Sequence, residues 1–154
     1  MRIEPADLND PRVIALLTTH AERARAETGR GSAHALDVSG LKTPDIQVFA
    51  AWEGETLLSI GALRRLDASH GEVKSMHTAE AARRTGAGGA ILNHLIETAR
   101  AAGLSRLSLE TGSWAYFETA RAFYRRHGFT DCDPFGDYRP DPNSVFMTMA
   151  LGQS

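Results

Sequence analysis

The stretch "RRTGAGGAIL", residues 83–92, concentrates the anion-binding chemistry of this chain. Its glycines let the backbone approach a ligand closely and turn N–H groups outward. A helix starting there adds unpaired N–H donors and the positive end of its dipole. Arg83 or Arg84 can add a charge-assisted hydrogen bond to a phosphate. Two standard phosphate motifs fail on residue identity. The dinucleotide fingerprint needs a third glycine where Ile91 stands, and the P-loop needs Gly-Lys-Ser/Thr, which is absent. What remains is Arg83-x-x-Gly86-x-Gly88, which reads either as a pyrophosphate cradle or as a bare helix start.

Three side chains could move protons nearby. Glu72 lies eleven residues before Arg83. Buried on a central strand, its carboxyl would suit base work; paired with Lys74 or Arg65, it would be structural. Glu110 ends the segment "LSLE", at the end of a strand where α/β sheets often open toward ligands. Its alternative is a solvated or helix-capping carboxylate. Tyr124 carries a phenol that could give up a proton, or it is a core residue of an amphipathic helix. His34, His70, His77 and His94 make no metal-ligand spacing with the lone Cys132, so no metal is expected. His77 alternates away from Met76 and Thr78, as a structural histidine would.

Elements must position these groups. "MRIEPAD" reads as a short strand. A helix follows, capped by Asn9 or Asp10, with Pro11 at its first position and Ile14, Leu17, Ala21 and Ala24 on one face. Residues 29–45 read as an irregular connection with one short helical turn. Two strands meet at Glu53-Gly54, a hairpin signal. "GEVKSMHT" is another strand. The helix after the glycine stretch puts Ile91, Leu92, Leu95, Ile96 and Ala99 on one side and ends at Gly103. "LSRLSLE" alternates as a strand. Phe117, Ala120, Tyr124 and His127 share a helical spacing that Gly128 ends. Two closing strands flank the loop "DPFGDYRPDPN". The order β-α-β-β-β-α-β-α-β-β predicts an α/β (α+β) fold with a mixed, mostly antiparallel sheet flanked by helices.

The 154 residues fit one domain, taken as 1–154. Apolar residues make up 42% and charged residues 23%, and the net charge of −2 offers no bulk attraction for nucleic acid or an anionic membrane. A single cysteine, no signal peptide and no spanning run make a cytoplasmic protein the expectation.

A strand, then R-x-x-G-x-G, then a helix resembles the acetyl-CoA motif of the GCN5-related N-acetyltransferase (GNAT) family. "ARAFYRRHGF", residues 120–129, is similar to that family's A-x-x-x-Y-x-x-x-G-F segment, with Tyr124 at the tyrosine. The element order is also the family's. The resemblance implies a GNAT-type sheet and an acetyltransferase that moves the acetyl group of acetyl-CoA to a primary amine by direct attack. The alternative is a non-catalytic acyl-CoA-binding or sensor module. The implied cofactor residues are Met76, His77, Thr78, Arg83, Arg84, Thr85, Gly86, Ala87, Gly88, Gly89 and Tyr124. Tyr124 would be the acid, and Glu72 or Glu110 the base. The acceptor, a small-molecule or peptide amine, would meet His34, Asp37, Phe135 and Tyr138. Many members carry an asparagine where this chain has Phe117, so a cofactor amide contact is not expected there. Nucleic-acid and membrane partners are not expected; a homodimer through the closing strands is allowed.

Overall fold

The computed structural model describes residues 1–27 and 38–152. The described elements follow the predicted order. They are β1 (Arg2–Pro5), α1 (Pro11–Ala26), β2 (Ile46–Glu53), β3 (Thr56–Arg65), β4 (His70–Thr78), α2 (Ala87–Ala101), β5 (Arg106–Gly112), α3 (Glu118–Arg126), β6 (Thr130–Cys132) and β7 (Ser144–Ala150). The strands form one seven-stranded sheet, ordered β1-β2-β3-β4-β5-β7-β6. Every neighbouring pair is antiparallel except β4 and β5.

Helices cover both faces, which explains why β2 reads as a nearly continuous apolar run. Val48, Ala50 and Trp52 meet Val13 and Leu17 of α1 on one face. Phe49 and Ala51 meet the α2 side, with Ile91, Leu92, Leu95 and Ile96, on the other. Burying each such large aliphatic side chain stabilises the fold by about 1.5–3 kcal/mol. Asp10 caps α1 by accepting from the Arg12 N–H at 2.8 Å. The inward stripe of α1 is Val13, Leu17 and Ala21; Ile14, expected to face inward, is exposed. A spacing of 13, 17 and 21 keeps one face, and Ile14 lies about 100° around the helix from Val13.

One backbone irregularity shapes the rest. Ser75 has φ 55°, and the β3–β4 register shifts between Ile60 and Ala62. This is a bulge, in which β4 gains one residue against β3 and bends. The parallel β4–β5 ladder runs only from His70↔Arg106 to Val73↔Leu109. Strand β4 continues to Thr78, while β5 stays paired with β7 as far as Gly112↔Ser144. Past Val73 and Leu109 the two strands part, and the sheet opens into a fork.

Candidate active site

The fork is the floor of a cleft of about 910 Å³, lined from three sides. Strand β4 and the following loop contribute Glu72, Lys74, Ser75, Met76, His77, Thr78, Arg83, Arg84, Gly86, Gly88 and Gly89. Strand β5 contributes Glu110, Thr111 and Gly112; helices α1 and α3 contribute His20, Arg23, Tyr124 and His127. Tyr138 reaches in from the β6–β7 loop. The glycine stretch, both candidate bases and the candidate acid therefore share one cavity.

The loop at the start of α2 is built to present donors. Arg84 and Gly86 both take left-handed backbone conformations, φ 66° and 86°. Gly86 occupies the N-cap position of α2 without a side-chain cap. The N–H groups of Arg84, Gly86, Ala87, Gly88 and Gly89 have no acceptor among the described residues, while that of Thr85 donates to the Ala82 carbonyl. The Thr85 hydroxyl bonds the same carbonyl, and Thr85 does not line the cleft. Of the loop residues expected to meet a cofactor, Thr85 alone stays off the cleft wall, exposed and bracing the loop through the Ala82 carbonyl. At Gly88 an added Cβ would lie 2.9 Å from Thr78 Oγ1, whose hydroxyl is in turn held by Ser59 at 3.0 Å.

Glu72 and Glu110 lie on the same face of adjacent strands but in different states. Glu72 is fully buried, and its Oε2 accepts from Lys74 Nζ at 3.1 Å and from the Tyr138 hydroxyl at 2.6 Å. Lys74 also donates to Tyr138 at 3.0 Å. Burial and the Glu72 charge push the Tyr138 phenol up, so it stays a donor. Glu110 makes no ion pair among the described residues. Burial pushes its carboxyl up to about 7 from an ordinary 4.5. The nearby Ser144 hydroxyl and the Lys74 ammonium pull it back down, although the hydroxyl falls short of full hydrogen-bond geometry.

Tyr124 packs edge-on against Phe123 and Phe129. Burial, with the Glu110 charge second, raises its phenol, which therefore holds its proton at neutral pH. His20 and His77 face each other, Nδ1 to Nδ1 at 3.4 Å. Burial, aided by His77 and Lys74, lowers His20 to about 4. Burial, with Arg83 and Arg23, also lowers His77, so the pair is neutral at pH 7. His77 thus lines the cleft and has a partner. His20 was missed in the sequence, although its spacing of three from Leu17 offered a signal.

The remaining acceptor candidates divide. Tyr138 is at the site. Phe135 packs behind it on His70, Tyr138 and Phe146 and does not line the cleft. His34 and Asp37 lie outside the described residues. Phe117 lies over Gly112, where an added Cβ would come within 2.1 Å of its ring.

The profile of the acetyltransferase (GNAT) family matches residues 14–129 of this chain. The chain belongs to that family. Relatives agree with this acetyltransferase over its length. It is 46% identical over 151 residues to the uncharacterized N-acetyltransferase YsnE of Bacillus subtilis, covering 98% of this chain and 100% of YsnE. It is 43% identical over 121 residues to the IAA acetyltransferase of Azospirillum brasilense, covering 78% of each. Its fold is similar to that of a Klebsiella pneumoniae protein assigned as an acyl-CoA N-acyltransferase, with TM-score 0.79 and 27% identity over 98% of this chain and 97% of that one. The acetyltransferase is thus an acyl-transferring enzyme, and the sensor alternative finds no support among these relatives.

Proposed function

We propose that this acetyltransferase moves the acetyl group of acetyl-CoA to a primary amine by direct attack within a ternary complex. The observation that carries the reading is the fork, which gathers an open strand edge, five unpaired N–H groups, a carboxyl near neutrality and a protonated phenol in one cleft. The edge of β4 beyond Val73 has lost its β5 partner, and an extended amide-bearing arm can pair with such an edge. The N–H groups around Gly86 and Gly88, with Arg83 and Arg84, suit the pyrophosphate at the end of that arm.

The chemistry then divides between two side chains. As the amine nitrogen bonds to the thioester carbon, it must lose a proton, and Glu110 takes it directly or through a water. When the carbon–sulfur bond breaks, the departing thiolate takes the Tyr124 proton. Of the two candidate bases we assign Glu110. The Glu72 oxygen that carries hydrogen bonds is already committed to Lys74 and Tyr138. Cys132 lies on β6, away from the cleft lining, which supports transfer without an acetyl-enzyme.

A thiol-release assay with acetyl-CoA and a panel of primary amines tests this reading. Amine-dependent release is expected; tight acetyl-CoA binding with no release for any amine would restore the sensor alternative. The cradle has its own test. Gly88→Val places a branched side chain against Thr78 and over the N–H cluster. It should weaken acetyl-CoA binding at least tenfold by calorimetry, equivalent to about 1.4 kcal/mol. Unchanged affinity would remove the loop from the binding site.

A further inference from the structure

Among the described residues, the buried side-chain hydroxyl of Ser144 has no hydrogen-bond partner, and native structures rarely leave such a group unexplained. Its place in the sheet explains it. Glu110 pairs with Phe146, and Gly112 with Ser144, across the antiparallel β5–β7 ladder. Residues directly opposite share a face of the sheet, and so do residues two apart on one strand. Ser144 and Glu110 are therefore diagonal neighbours on one face, a separation that long side chains reach across. Gly112 has no side chain, and the ring of Phe117 fills the place its Cβ would take. That ring gives the Ser144 hydroxyl no oxygen or nitrogen to bond.

The backbone that carries Ser144 is braced against the end of β5. Ser144 N–H donates to the Asp141 carbonyl at 3.0 Å, and Asn143 N–H to the Asp141 carboxylate at 2.8 Å. Ser113, just past β5, donates its N–H to the Asn143 carbonyl at 3.1 Å and its hydroxyl to the Pro142 carbonyl at 2.6 Å. Trp114 Nε1 donates to Asn143 Oδ1 at 2.6 Å. These bonds fix the start of β7, and with it the side of the sheet on which Ser144 stands. Glu110 lines the cleft and Ser144 does not, so Ser144 can act on the reaction only through Glu110.

Beside a neutral carboxyl a serine hydroxyl gains little. Beside a carboxylate it can make a charge-assisted bond, roughly twice as strong as a neutral one. Such a bond favours the ionised form. The Ser144 hydroxyl can turn to the carboxylate without breaking a bond it already has. Other groups face Glu110 as well. Burial raises its carboxyl, the Ser144 hydroxyl and Lys74 of β4 lower it, and Glu72 of β4 and Asp141 of the β6–β7 loop raise it. Tyr124 of α3 and Tyr138 of the β6–β7 loop, both kept protonated chiefly by burial, also feel its charge.

We propose that Ser144 is a positioning residue for Glu110: its hydroxyl donates to the carboxylate as the proton leaves, which favours the ionised base. This inference rests on the assignment of Glu110 as the base in the proposed function.

The Glu110 carboxyl can be titrated directly by carbon NMR, its signal assigned by its absence from Glu110→Gln. In Ser144→Ala the titration should move to higher pH by about one unit, the effect of losing one charge-assisted hydrogen bond. The rising limb of kcat/KM should move with it. That limb is read by thiol release with the fastest primary amine of the panel and corrected for the free-amine fraction. Turnover on the alkaline plateau should stay near that of the wild type. Ser144→Cys, whose thiol is a weaker donor, should move both titrations in the same direction. Acetyl-CoA affinity by calorimetry, unchanged in both variants, establishes that they are folded. If the carboxyl titration stays in place or moves to lower pH, the inference is overturned and the proposed function stands. If the carboxyl titration moves and the rate limb does not, the contact between Ser144 and Glu110 stands and Glu110 is not the base. The NMR titration reads that contact even if no amine is acetylated.

Discussion

Tyr124→Phe should lower kcat for acetyl transfer by about 10²- to 10⁴-fold, the range expected when a positioned general acid is removed. The KM for acetyl-CoA should change little, because the lost proton matters only as the thiolate departs. The variant should also fold normally. No described residue hydrogen-bonds to the Tyr124 hydroxyl, and the ring contacts with Phe123 and Phe129 survive in phenylalanine. Steady-state kinetics beside a thermal melt separates the outcomes. Unchanged turnover in a folded variant would make Tyr124 a core tyrosine that happens to face the cleft. A fall in turnover with acetyl-CoA, but not with a thioester whose leaving thiol is much more acidic, would identify the leaving group as the recipient of the proton. This holds because Tyr124 is kept protonated by two separate causes, its burial and the adjacent Glu110 charge.

How far the sequence reveals the site depends on how local each signal is. The element order, the cap at Asp10 and the buried stripe of α2 are legible because each rests on spacing within a few residues. The donor loop is legible for the same reason, since Gly86 and the following helix are contiguous. Three features are not legible. The bulge at Ser75 has no composition cue: serine is not a residue that announces φ 55°. It nevertheless sets which side chains of β4 face α2. The fork depends on where a parallel pair stops, at Val73 and Leu109, which lie 36 residues apart in the chain. Tyr138 reaches Glu72 across 66 residues from a loop whose turn chemistry says nothing about its tip. The same contact gives the two glutamates different surroundings. In the sequence both could be bases; only the tertiary structure commits one to Lys74 and Tyr138 and leaves the other with a carboxyl near neutrality.

Glu110→Gln should therefore abolish most amine-dependent turnover and remove the limb of the pH profile that rises through about 7. In the wild type, kcat/KM should climb as Glu110 ionises, since the pH dependence of kcat/KM reports groups of the free enzyme. A second readout has the opposite sign. The Glu110 carboxyl is raised in the folded state, to about 7 from an ordinary 4.5. Between those values the folded protein keeps a proton that the unfolded chain has released. Stability contributed by this group is thus full below about 4.5, falls as pH rises, and is lost above about 7. Glutamine cannot ionise, so the variant should show a smaller decline in Tm from pH 5 to pH 8 than the wild type. Lost activity with gained stability at alkaline pH would mean that the fold tolerates a destabilising buried carboxylate in order to keep a base at the fork. If the rising limb persists in the variant, the titrating group is elsewhere. Glu72→Gln, measured over the same range, would then show whether the ion-paired carboxylate carries it.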